Sequence, residues 1–149
     1  MSLATPPADL TAGAVLTERG FGPQTRTDIV RYQGASGDFN PVHHDDEFAK
    51  AAGMSGAFSV GMLQAGYLGT YLVDLFGPGS VRRIAVRFAR QVWPGDELTC
   101  RGTVVARGTG DLGDTAEIEL NIERADGSVA VSASATVLVG RVAREDVTP

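Results

Sequence analysis

Two hydrophobic periods divide this chain. Residues 60–76, Val60-Gly61-Met62-Leu63-Gln64-Ala65-Gly66-Tyr67-Leu68-Gly69-Thr70-Tyr71-Leu72-Val73-Asp74-Leu75-Phe76, are almost wholly apolar and are followed by Gly77-Pro78-Gly79. Such a run predicts a helix that is hydrophobic nearly all round and therefore buried, with the Gly-Pro-Gly triplet as its stop. Each glycine inside it lowers helix stability by about 1 kcal/mol relative to Ala. Close approach of another backbone accounts for Gly66 and Gly69; Gly61, at the N-terminus, is free for a further role. After Gly79 the period becomes two. Ile84, Val86 and Phe88 alternate with Ala85, Arg87 and Ala89. Leu98, Cys100, Gly102, Val104 and Ala106 form the apolar face of a second strand, Ile118, Leu120 and Ile122 that of a third, and Val129, Val131, Ala133, Ala135, Val137 and Val139 that of a fourth. Pro94-Gly95-Asp96 and Ala125-Asp126-Gly127 are turns, and residues 107–114 a Gly/Asp-rich loop. These runs predict an antiparallel meander with one buried face, and the apolar helix is the cover that face requires. The fold class is α+β: one curved antiparallel sheet wrapped around a long central helix.

The first third of the chain is less regular. Residues 14–16 are a short candidate strand before a turn, Arg19-Gly20-Phe21-Gly22-Pro23. Residues 25–32 predict a helix with Thr25 as N-cap, Asp28 three residues on and Gly34 as its end. Residues 45–52 predict a short helix capped by Asp45 or Asp46 and stopped by Gly53. No repeat, low-complexity segment or linker interrupts residues 1–149, which implies a single domain with loose ends at 1–10 and 141–149.

Composition narrows the function classes. A chain of 149 residues with 43% hydrophobic content is long enough for a real core. A net charge of -5 argues against nucleic acid or an anionic membrane surface as partner. The single cysteine, Cys100, excludes an internal disulfide and a cysteine metal cluster and suits a small core residue. Met1 to Thr11 has neither the basic start nor the apolar run of a secretory signal, and no stretch is long enough to span a bilayer, so the expected location is the cytoplasm.

The chemistry-bearing stretch is Ser36-Gly37-Asp38-Phe39-Asn40-Pro41-Val42-His43-His44-Asp45. It sets a carboxylate, Asp38, and an imidazole, His43, a short loop apart, with Pro41 fixing its own φ between them. Two such groups on one stiff turn are suited to handling one water molecule. Taken singly, Asp38 suits an Asx turn and His43 a structural hydrogen bond. His43-His44-Asp45-Asp46 also raises a metal site. Adjacent histidines rarely face one ion and no third ligand stands at helical spacing, so a capped helix start is the simpler account. Arg82, Arg83, Arg87 and Arg90 read as a solvated strand face, with coenzyme A phosphates or a carrier protein's phosphopantetheine as the alternative contact. Tyr67 and Tyr71 read as core or interface.

The 36–43 motif resembles the signature of the MaoC-like (R)-specific enoyl-CoA hydratases and dehydratases, the hydratase 2 group of the hot-dog fold. The resemblance runs from about residue 25 to residue 139 and takes in Gly61-Met62-Leu63, Val86-Arg87-Phe88 and Pro94-Gly95-Asp96. It implies that Asp38 and His43 are the water-activating pair, that Asn40 and Pro41 shape the turn, and that the Gly61 N–H faces the thioester carbonyl. It also implies a dimer, as a homodimer or with a related hot-dog subunit, with sheets side by side. Two positions depart from the pattern: Val60 stands where His is common, and Gly69 where some members carry Ser.

The implied activity is hydration of trans-2-enoyl thioesters and the reverse dehydration of (R)-3-hydroxyacyl thioesters, in fatty acid or related acyl-chain metabolism. No cofactor is implied; coenzyme A or phosphopantetheine is part of the substrate. The alternatives are a non-catalytic or obligate-partner subunit that binds acyl thioesters, which the two departures motivate, and a thioesterase.

Overall fold

A computed structural model describes residues 10–111 and 113–139. The expectation of loose ends therefore falls outside the described residues, except at Leu10, which packs partly buried against the core. Helix α1 is Arg26–Ser36, α2 is Asp46–Ala51 and α3 is Gly61–Phe76; the strands are β1 (Arg19–Phe21), β2 (Val81–Phe88), β3 (Leu98–Gly110), β4 (Gly113–Arg124) and β5 (Val129–Leu138). All strand pairs are antiparallel, in the order β1-β3-β4-β5-β2. Thus β3, β4 and β5 form the expected meander, but β2 joins beyond β5 instead of beside β3. Helix α3 covers one face of the sheet. Leu68, Tyr71, Leu72 and Leu75 meet Cys100, Val104, Ile118, Ile122, Ala135 and Val137 in one cluster. The α+β architecture is the one the change of period predicts.

Several local expectations give way to backbone pairing. The 19–23 segment is not all turn: Arg19–Phe21 pairs with β3, and the Phe21 ring stacks on Tyr67 at 4.5 Å. Residues 14–16 make a single bridge, Val15 to Thr103, instead of a strand. Nor is 107–114 a loop. β3 and β4 continue as a two-stranded ribbon to the Gly110–Gly113 pair, braced by Thr109 Oγ1 donating to Asp114 Oδ1 at 2.9 Å. An exposed ribbon has no buried face, so its strands carry no apolar alternation. Ala106 leaves the buried face because a register shift falls between Val104 and Ala106.

Helix α1 begins as predicted. The Thr25 hydroxyl accepts from the Asp28 N–H at 3.0 Å and the Asp28 carboxylate accepts from the Thr25 N–H at 3.0 Å. It does not end at Gly34. Glycine lowers helix propensity without stopping a helix; the stop is Gly37, at φ 74°, a conformation that costs a residue with a Cβ.

Helix α3 is not buried all round. Gln64, Ala65, Leu68, Tyr71, Leu72 and Leu75 are buried, while Met62, Gly66 and Thr70 are exposed. A Cβ on Gly66 or Gly69 would meet nothing within 4 Å, so close packing within the chain does not explain either glycine. Gly61 is the crowded one: a Cβ there would lie 3.2 Å from the Phe88 ring.

Candidate active site

The 38–43 turn is built by side chains that bond its own backbone. Asp38 Oδ1 accepts from the Asn40 N–H at 3.3 Å, and Asn40 Oδ1 accepts from the Val42 N–H at 3.2 Å. Asn40 thereby caps a 3₁₀ turn, Pro41–His43, whose first residue is the proline. Proline suits that position because its fixed φ is helical and its missing N–H has no partner to lose. The turn is also held from behind. Gln33 of α1, almost fully buried, donates from Nε2 to the Asp38 carbonyl at 2.8 Å and to the Asn40 carbonyl at 3.2 Å. Its Oε1 lies 3.1 Å from His44 Nδ1. Sequence reading passed over Gln33; the signal was a glutamine one helical turn before the motif, on the side of α1 that carries Ile29.

This scaffold turns Asp38 and His43 toward each other. His43 Nδ1 lies 2.9 Å from the Phe58 carbonyl oxygen. A carbonyl only accepts, so Nδ1 carries the proton and Nε2 of the neutral ring is left as an acceptor. Nε2 lies 3.7 Å from Asp38 Oδ2. That gap exceeds a direct hydrogen bond and lets one small donor sit about 2.8 Å from both acceptors. The His43 ring is mostly buried, edge-on to Phe58 with centroids 5.1 Å apart, and Phe58 in turn packs on Trp93 at 5.9 Å. The Asp38 side chain, 42% exposed, is the open side of the pair.

The neighbouring acidic residues have other partners. Asp45 caps α2, its Oδ1 accepting from the Glu47 and Phe48 N–H groups at 2.9 and 3.0 Å. Asp46 accepts from the Ala57 N–H at 2.8 Å and pairs with Arg26 at 2.8 Å; the Ala57 bond and the Arg26 guanidinium hold its carboxyl below the usual carboxylate range. His44 faces Gln33 and not His43's partner.

Gly61 opens α3. Val60 precedes it as N-cap and supplies no side-chain bond, and neither the Gly61 nor the Met62 N–H has a partner among the described residues. The positive end of the helix is thus left unplugged. Gly61 lines a cavity of about 210 Å³ together with Phe58, Ser59, Gln64, Phe88, Arg90 and Val92. A larger concavity, about 620 Å³, lies on the opposite face of the sheet among outward residues such as Arg87, Glu119 and Ser132, and reaches none of the motif residues. The arginine group is divided. Arg83 and Arg87 pair with Thr136 and Ser132 on that outer face, Arg82 sits at a register shift, and Arg90 alone borders the Gly61 cavity.

Beside the cavity Gln64, Ser59, Gln24 and Tyr67 form a polar group that sequence reading missed, since Gln64 lay within a run read as apolar. Tyr67 is partly buried and stacked on Phe21; burial raises its hydroxyl pKa above the usual phenolic value, leaving it a donor, to Gln24 Oε1 at 3.2 Å. Tyr71 is core, and burial raises its hydroxyl further. No helix among the described residues is long and apolar enough to cross a membrane.

Comparison with known proteins adds a family and a fold. The family described as "MaoC like domain" matches residues 8–125. The (R)-specific enoyl-CoA hydratase of Rhodospirillum rubrum is 32% identical over 82 residues, 54% of this chain and 57% of that protein. The peroxisomal multifunctional enzyme type 2 of Mus musculus is 38% identical over 66 residues, 42% of this chain and 9% of that protein. The chain thus spans between about a tenth and just over half of these relatives' lengths. Among solved structures, the (R)-hydratase from A. caviae involved in PHA biosynthesis superposes with a TM-score of 0.78 at 25% identity, covering 89% of this chain and 99% of that one. The ChsH1–ChsH2 complex from Mycobacterium tuberculosis gives 0.75 at 27%, covering 87% and 98%. The curved five-stranded sheet with its central helix is the hot-dog fold of these neighbours.

Proposed function

This chain belongs to the MaoC-like domain family, and on that footing we propose that it is a hydro-lyase adding water to trans-2-enoyl thioesters and dehydrating (R)-3-hydroxyacyl thioesters. The observation that carries the reading is the convergence of Asp38 Oδ2 and His43 Nε2 to 3.7 Å, with Nδ1 committed to Phe58. Both facing atoms accept, so a water between them donates to both and is left with its lone pairs directed at C3 of the bound enoyl group. As the oxygen bonds to C3, one of the pair takes a water proton, and a proton is returned to C2; atoms balance with no further reactant. Negative charge builds on the thioester oxygen meanwhile. In this reading the unpartnered N–H of Gly61, at the head of α3, receives it, and one such donor lowers the barrier by about 3–4 kcal/mol. Asn40 and Pro41 hold the turn, and no metal or cofactor takes part; coenzyme A or phosphopantetheine is carried by the substrate.

The site is expected to be completed by a second hot-dog subunit, identical or related. Phe39 is 67% exposed, Met62 56% and Phe88 48%, and these apolar side chains belong to the motif turn, the head of α3 and the end of β2. β2 is an edge strand with Ile84 also exposed, so it offers both backbone and apolar surface to a neighbour. That observation favours a second reading, an obligate-partner subunit that turns over only in a mixed complex.

The deciding experiment follows loss of enoyl absorbance from crotonyl-CoA with the purified chain, alone and with a co-expressed hot-dog partner. Activity that survives unchanged in both Asp38→Asn and His43→Ala overturns the site; activity only in the mixture selects the second reading. Release of free coenzyme A in place of hydration would overturn the hydro-lyase reading.

A further inference from the structure

One helical turn beyond Gly61, on the same side of α3, stands Gln64, and both residues line the 210 Å³ cavity. Gln64 is only 2% exposed. Its amide is fixed: Nε2 donates to Ser59 Oγ at 2.9 Å and to Gln24 Oε1 at 3.3 Å. Gln24, equally buried, is itself immobilised. Its N–H donates to the Asp96 carbonyl at 2.8 Å, its carbonyl accepts from the Gly95 N–H at 2.7 Å, and its Oε1 also accepts from Tyr67. Both Nε2 protons of Gln64 are therefore spoken for. Its Oε1 has no partner among the described residues and is not one of the sealed, unpartnered atoms, and it belongs to a residue that lines the cavity.

This arrangement is not what stability asks for. Gln24 Nε2 is sealed with no acceptor, and leaving a buried donor unpaired costs more than an apolar side chain of the same shape would. Three buried polar side chains, Gln64, Ser59 and Gln24, hold one unpartnered carboxamide oxygen rigidly beside a cavity that Phe58, Phe88, Ala89 and Val92 line together with Arg90 and Gln91.

Resting on the hydratase reading above, we infer that Gln64 determines which acyl thioesters the cavity accepts, by receiving a hydrogen bond from an O–H or N–H donor that the ligand carries a few atoms from its thioester carbonyl. Two parts of such a ligand can supply that donor: a hydroxyl on the acyl chain, or the first amide of the pantetheine arm. A plain alkyl group laid against Oε1 would desolvate it with nothing in return.

The test measures binding with unreactive saturated ligands, so that it stands apart from turnover. Hexanoyl-CoA and 6-hydroxyhexanoyl-CoA differ by one acyl hydroxyl. Hexanoyl thioesters of N-acetylcysteamine and of butanethiol differ by one amide. Dissociation constants are determined for the full chain, in the complex if it needs a partner, as wild type, Gln64→Leu and Gln64→Met; the second variant keeps a flexible side chain should the first not fold. The expected result is a wild-type preference of about five- to tenfold for the donor-bearing member of one pair, falling to within twofold in the variants. Which pair shows it identifies the source of the donor. The inference is overturned if wild type shows no preference within either pair, or if the variants keep it. Loss of crotonyl-CoA hydration with the binding preference intact would instead remove the hydratase reading alone.

Discussion

Gln33 Nε2 donates to the Asp38 carbonyl at 2.8 Å, so a helix side chain fixes where the motif turn sits against the protein. The same nitrogen reaches the Asn40 carbonyl, and Oε1 faces His44. Replacing it by Leu keeps the volume and strands both carbonyls, which costs about 1–3 kcal/mol of stability. The expected signature of Gln33→Leu is a fall in kcat for crotonyl-CoA with little change in KM, because the turn and its carboxylate lose their register while the Gly61 cavity is untouched. A lowered Tm with unchanged kcat would show that Gln33 only stabilises the fold.

Asp38→Asn and His43→Ala are each expected to lower kcat/KM by about 10²–10⁴. In the proposed mechanism both groups handle one water, so the double variant is expected to lose little more than the worse single one. Asp38 is half-exposed, so its substitution should leave Tm nearly unchanged; steady-state rates and thermal melts on the same preparations check both statements.

The elements with a strong side-chain period were legible: α3 from its apolar run, and β4 and β5 from clean alternation over 118–122 and 129–139. Thr25 and Asp28 announced the start of α1 because a capping box is a local contact between near neighbours. What stayed hidden was specified by backbone or by distance. β1 and the tip of the β3–β4 ribbon are held by main-chain pairing, which side-chain pattern does not report. The place of β2 beyond β5 is a choice of partner across the sheet. At the site, Asp38 and His43 were visible because the motif is contiguous. Gln33, Phe58 and Gln64 were not, because each reaches the site from another element and none carries a charge that marks it.

The Thr25 hydroxyl and amide hold the Asp28 carboxyl below its usual range. A carboxyl whose folded pKa is depressed adds stability above its unfolded pKa and loses it as pH falls through the folded value. Asp28→Ala is therefore expected to destabilise by about 0.3–1 kcal/mol at pH 7 and by less once the medium is acidic enough to protonate the wild-type group. Urea unfolding at pH 7 and near pH 3 distinguishes this from a pH-independent packing loss.

Cys100 sits in the sheet core with its thiol fully covered, and burial pushes its pKa up to about 12. It is expected to resist an aromatic disulfide reagent at pH 8 in the native protein and to react fully in denaturant. Rapid modification without denaturant would mean that the β3 core opens locally.

Gly61 offers the sharpest separation of fold from chemistry. Ala is the better helix former by about 1 kcal/mol, so Gly61→Ala should not unfold the protein. Its methyl would stand 3.2 Å from the Phe88 ring, and that ring, half-exposed at the end of β2, has room to swing aside. In the proposed reading glycine is what lets the thioester oxygen come close to the unpartnered N–H, and a methyl there would hinder it. Activity is therefore expected to fall about 10- to 100-fold with Tm unchanged or slightly raised. Phe88→Ala, added to Gly61→Ala, separates the two causes. If the displaced ring is at fault, removing it restores activity; if the methyl shields the amide from the thioester oxygen, the double variant stays as slow as Gly61→Ala. The second outcome is expected, and recovery in the double variant would move the charge-stabilising role away from Gly61.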